Sequence, residues 1–155
     1  MVRVAHAVAL AVALAVTASG AAAVWNARTY RAHVNGICRG YTPRFKQVEA
    51  DMVKARRARN EHRYGYDIGF LLGMSLRQGV AIERTPLPAD ARTQMAKPLH
   101  LLHRVDVQLR NVLATVVAGD AGRFQVELIN LQRLSAPLNR ELDAVGLRDC
   151  GSNQQ

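Results

Sequence analysis

From about residue 27 to residue 145, apolar side chains return at every third or fourth position, the period of one face of an α-helix, and no stretch keeps the alternation of a strand. Thr42–Pro43 reads as a cap followed by proline at the first helical position, and Phe45, Val48, Met52 and Ala55 mark the inner stripe of a first helix ending near Ala58. An earlier helical piece, residues 27–39, leads into it and bends near Pro43. Asn60 is placed to cap a second helix striped by Tyr64, Ile68, Leu71, Leu72 and Leu76, which Pro86 and Pro88 stop. Leu102, Val105, Leu109, Val112 and Val116 outline a third, ended by Gly119, with Asp120 capping the next. The fourth carries Phe124, Leu128, Leu131, Leu134, Leu138, Leu142 and Val145, and Pro137 is expected to kink it. Gly146 stands as a left-handed C-terminal cap with Leu147 folding back. Four helices joined by short turns predict an all-α fold, an up-down four-helix bundle.

The segment before this pattern is of another kind. Val4–Asn26 contains no Lys, Arg, Asp or Glu, its core "VALAVALAV" has signal-peptide length, and "ASGAAA" offers small residues for cleavage, at Ala21 or Ala23 for instance. The apolar run from Val4 to Trp25 is also long enough to span about 30 Å of hydrocarbon, with Trp25 and Tyr30 at the interface. Residues 1–25 are therefore a signal peptide or an uncleaved membrane anchor, an apolar helix preceding the bundle. Residues 26–150 form the bundle domain, and 151–155 a disordered tail.

Export changes the meaning of the only two cysteines, Cys38 and Cys150, which stand 112 positions apart at the two ends of the foldable part. Metal-binding pairs are usually closely spaced, and an oxidising compartment favours a disulfide. In an up-down bundle the end of the fourth helix returns to the level where the first begins, so the expected bond staples the bundle closed. The same argument sets the orientation, N-terminus inside and bulk outside the cell. About 130 residues remain after the apolar run, enough for one domain with a core.

A formal charge of +9 suits an exported domain that meets phospholipid headgroups, wall polymers or acidic partners. Nucleic acid is not expected, since export removes it from reach and 5% aromatic residues leave little stacking surface.

"VNGICRGYTP" and "APLNRELDAVGLRDCGSNQ" resemble the ends of a group of small exported, alanine- and arginine-rich helical proteins of actinobacterial type, which pair an N-terminal "ICR" cysteine with a C-terminal "CG" cysteine. The resemblance runs from about Tyr30 to Gln154 and is specific only at its ends. It implies an extracytoplasmic location and the staple, and no assigned activity.

Two local motifs stand out. Gly65, Gly69 and Gly73 form one row along the second helix, each costing roughly 1 kcal/mol of helix propensity relative to alanine. Close approach of another helix would explain them, and so would a groove for an apolar ligand edged by Tyr64, Tyr66 and Phe70. Lys54, Arg56, Arg57, Arg59 and Arg63 gather where the first helix ends, which suits a helix C-terminus and would also make an anion-binding patch.

Catalytic patterns are weak. His100 and His103 share a face but lack a third ligand in a recognisable pattern, so no metal is expected. Asp67 with Glu83, or Glu127 with Glu141, would need a cleft that nothing in the pattern indicates, and Ser75 and Ser135 have no glycine-flanked elbow. The expectation is a non-enzymatic extracytoplasmic interaction module without cofactor, binding anionic envelope polymer or a protein partner. The alternative is a carrier of a small apolar ligand along the glycine row.

Overall fold

The computed structural model describes residues 25–152; residues 1–24, with nearly all of the expected apolar N-terminal helix, and residues 153–155 lie outside the described residues. Four helices make up the fold: α1 (Ala27–Arg57), α2 (Glu61–Glu83), α3 (Arg92–Ala118) and α4 (Ala121–Ala144), with a 3₁₀ turn at Ala89–Ala91 before α3. No strand occurs among the described residues.

α1 is one continuous helix that joins the expected piece at residues 27–39 to the one expected from Thr42, and its cap is Asn26 rather than Thr42. The Asn26 carboxamide accepts from the N–H groups of Arg28 and Thr29 at 3.0 Å, and the Thr29 hydroxyl accepts from the Asn26 N–H at 2.9 Å. This reciprocal capping box satisfies donors that the first turn otherwise leaves free. Thr42 lies in the helix interior, where its hydroxyl donates to the Cys38 carbonyl at 3.1 Å. Pro43 cannot bond the Arg39 carbonyl, a defect worth about 3 kcal/mol in an isolated helix. The helix nevertheless continues because both flanks are buried, Tyr30, Val34 and Cys38 before the proline and Phe45, Val48 and Ala55 after it.

The turns follow the sequence pattern more closely. Asn60 caps α2 by accepting from the Arg63 N–H at 2.9 Å. Gly119 ends α3 at φ 67°, and Asp120 caps α4 through the Arg123 N–H. After α4, Gly146 adopts φ 84°, the Leu147 N–H reaches back to the Leu142 carbonyl at 2.8 Å, and Gly146 N–H bonds Asp143. Leu147 is thereby folded completely into the core.

Each helix packs on its neighbour in sequence, α1 on α2, α2 on α3 and α3 on α4. No Cα atoms of α1 and α4 come within 8 Å of each other among the described residues. That seam is bridged at one end by the C-terminal turn: Asn35 donates to the Gly146 carbonyl at 2.9 Å, Arg39 pairs with Asp149 at 2.6 Å, and Cys38 is disulfide-bonded to Cys150 with Cα atoms 5.1 Å apart. Gly151, at the start of the expected tail, is buried, and the Ser152 N–H donates to Asp143; residues 153–155 of that tail lie outside the described residues.

Tyr30, expected at a membrane interface, is instead wholly buried in the main core. Its hydroxyl has no hydrogen-bond partner, and burial holds its pKa above the usual phenol value. Trp25 stands edge-on to it at 6.2 Å, with its indole N–H on the Pro86 carbonyl at 2.9 Å, so both rings belong to the fold. No helix among the described residues is long and apolar enough to cross a membrane.

Candidate functional site

The separation of α1 and α4 leaves a cavity of about 450 Å³ reached by all four helices. Leu72 and Ile82 of α2, Leu102 and Leu109 of α3, and Leu131 and Leu138 of α4 form its apolar wall. α1 contributes Phe45 and Glu49, and Cys150 closes one end. The periodicity explains why these residues face inward; the void arises because the disulfide turn, not direct packing, joins the outer pair of helices.

Two polar side chains interrupt that wall. Asp106 of α3 is only 3% exposed and Gln78 of α2 8%, and both line the cavity. Neither carboxylate oxygen of Asp106 has a hydrogen-bond partner, and neither has the amide nitrogen of Gln78. Burial, reinforced by the nearby Glu83 carboxylate, lifts the Asp106 pKa to about 6 against the opposing pull of Arg110 and His103. Gly79 makes room for the carboxylate: a Cβ there would stand 2.7 Å from Oδ2 and 2.8 Å from Cγ. An unpaired buried carboxylate costs several kcal/mol, a cost usually tolerated where the group has work to do.

The sites expected from sequence fall elsewhere. A methyl at Gly65 or Gly69 would meet no heavy atom within 4 Å, and one at Gly73 only the Arg77 guanidinium at 3.9 Å. Close helix approach is therefore not what the row permits; the closely approached glycine of α2 is Gly79. Of the row, Gly65 borders a hollow of about 240 Å³ with Ile68, Val116 and Phe124. Tyr66 and Phe70 stack on each other at 6.5 Å on the surface.

The basic residues do gather at the α1–α2 turn. Lys54 pairs with Asp51 at 3.3 Å, and Arg63 pairs at 3.0 Å with Asp67, which is buried. Hydrogen bonds from Gln47 and Lys54 hold the half-buried Asp51 carboxyl below its ordinary pKa. Arg56, Arg57 and Arg59 are exposed and have no carboxylate partner among the described residues. Arg56 and Arg59 rim a hollow of about 240 Å³ with Asn60 and Tyr64. Arg59 sits at φ 54°, left-handed backbone that ordinarily calls for glycine.

The three glutamates expected in carboxylate pairs are individually engaged. Glu83 meets His103 at 3.3 Å, Glu127 accepts from Gln108 at 2.7 Å, and Glu141 pairs with Lys97. His100 is exposed, and no cluster of three metal-ligating side chains occurs among the described residues.

Asp106, Gln78 and Gly79 were not singled out by motif, yet the pattern carries a signal for two of them. Asp106 lies four residues after Leu102 and three before Leu109, on the inner stripe of α3, and Gln78 lies between Leu71 and Ile82 on that of α2. A polar residue on an apolar stripe is the mark. Compared with protein-family models, curated proteins and solved structures, the chain matches none.

Proposed function

We propose that the chain is a non-enzymatic, extracytoplasmic helical module that holds a small, largely apolar molecule in the cavity between its helices. The observation that carries this reading is the cavity itself, about 450 Å³ with a leucine-rich wall, within the size range of small-molecule sites. In this reading the helices run up and down, and residues 1–25 either anchor the bundle on the outer face of the cytoplasmic membrane or are removed as a signal peptide. The disulfide supports an oxidising location. The carrier expectation thus moves from the glycine row on the surface to the interior.

Native mass spectrometry of the protein recovered from its host is expected to reveal a bound small molecule, and naphthalene is expected to raise the melting temperature of the stripped protein. Leu131→Trp, which puts an indole into the cavity and narrows it, should weaken both effects. A protein that carries no adduct and ignores naphthalene would end the proposal.

A second reading rests on Arg59. A left-handed non-glycine residue costs roughly 1 kcal/mol, so an arginine there suggests use of its charge by anionic envelope polymer or an acidic protein partner. Arg59→Gly is expected to stabilise the fold by about 1 kcal/mol while weakening retention on isolated envelope material. Reversing Arg56, Arg57 and Arg59 to glutamate should remove retention altogether; unchanged retention refutes this reading.

A further inference from the structure

We propose that the occupant of the cavity is a cation, a small amine with an apolar body whose ammonium N–H groups sit on the Asp106 carboxylate. The inference rests on reading the cavity as a ligand site and adds the chemical class of what fills it.

Charge is the first argument. The chain carries a formal +9, yet among the described residues the only charged side chains lining the cavity are Glu49 and Asp106, both acidic. Glu83, close enough to act on Asp106, deepens the negative field. A site built by chance from this composition would more readily have acquired arginine.

Hydrogen bonding is the second. Both Asp106 oxygens are buried without a donor, and an ammonium brings up to three N–H groups into reach of one carboxylate. The unpartnered Gln78 amide nitrogen asks for an acceptor nearby, which a hydroxyl or ether oxygen near the amine nitrogen supplies. Gly79 allows the carboxylate to lie against α2 instead of swinging toward water.

Shape is the third argument, because it separates organic from inorganic cations. A hydrated metal ion needs several oxygen or nitrogen ligands, and no cluster of three such side chains occurs among the described residues. The leucine wall suits hydrocarbon, and the charge it leaves to be matched is small and local.

Acidity should modulate the site. The groups that bear on Asp106 are Glu83 from α2 and His103 and Arg110 from α3; Glu49 of α1 lines the same cavity, and the α4 residues lining it do not titrate. With Asp106 titrating at about 6, the carboxylate is ionised at pH 7.5 and protonated at pH 5.

Calorimetric titration of the disulfide-bonded protein with 1-naphthylmethylamine and its near-isostere 1-naphthylmethanol tests the inference. At pH 7.5 the amine is expected to bind at least tenfold more tightly, with the margin shrinking severalfold at pH 5. Asp106→Asn should bring the two within twofold by weakening the amine alone, with folding checked by circular dichroism. Equal affinity of the two probes for the unsubstituted protein overturns the inference and leaves the cavity reading standing. A margin that is the same at both pH values, or that survives Asp106→Asn, also overturns it. Binding of neither probe defeats both readings.

Discussion

Asp106 and Gly79 face each other across the α2–α3 contact, and each accounts for the other: the carboxylate is buried because no Cβ opposes it, and the glycine is required because the carboxylate lies there. The stability consequence has a definite sign. An ordinary aspartate titrates at about 3.9 and this one at about 6, so between those values the folded chain holds a proton that the unfolded chain has lost. The favourable contribution is therefore complete below about pH 4 and is lost as pH rises through about 6. Asp106→Asn is expected to stabilise the ligand-free protein on the order of 2 kcal/mol at pH 7.5 and to change little at pH 4, measured by urea unfolding at both pH values. The inward direction of Asp106 was legible from Leu102 and Leu109. The void it borders was not, because periodicity says which side of a helix is inner but not how far apart two inner sides stand.

At the scale of elements, α1 shows how a strong local signal misleads. Thr42–Pro43 has the composition of a helix start, and Asn26 sits at the end of an apolar run that reads as something else. The helical period from residue 27 was legible, but the cap was not: it is marked by Thr29, three residues on, whose hydroxyl returns the hydrogen bond. Packing of Phe45, Val48 and Met74 in a cluster beyond the proline holds the continuation. Asn26→Ala should then cost about 1 kcal/mol, and Thr42→Ala less than about 0.5 kcal/mol, by chemical denaturation. The reverse order would mean that the helix nucleates at the proline after all. Three other boundaries were readable because their caps are unambiguous: Asn60, Gly119–Asp120 and Gly146 each have a role that few residues fill.

The whole molecule is tied across its open seam by few bonds. Beside the hydrogen bonds of Asn35 with the Gly146 carbonyl and the Asp149 N–H, and the exposed Arg39–Asp149 pair, worth less than about 1 kcal/mol, the covalent link between Cys38 and Cys150 holds α1 to the end of α4. Replacing both cysteines with alanine is expected to cost about 4–5 kcal/mol in the chain-entropy picture, seen as a large fall in melting temperature. A loss under 1 kcal/mol would mean that the C-terminal turn docks without its bond. This staple was the most legible tertiary feature, since two cysteines admit only one intramolecular pairing. The basic turn was legible as a cluster, but not the distinction between Arg63, committed to the buried Asp67, and the three uncommitted arginines.

The position of the bridge also decides how the molecule bears mechanical load. A pull between its two ends enters through residues 25–38, crosses the sulfur–sulfur bond and leaves through residues 150–152. Residues 39–149, with most of α1, all of α2, α3 and α4, and every side chain lining the cavity except Cys150, form a covalent loop that this tension bypasses. A tug on the chain's ends thus stretches a short strap and reaches the cavity only at the end that Cys150 closes.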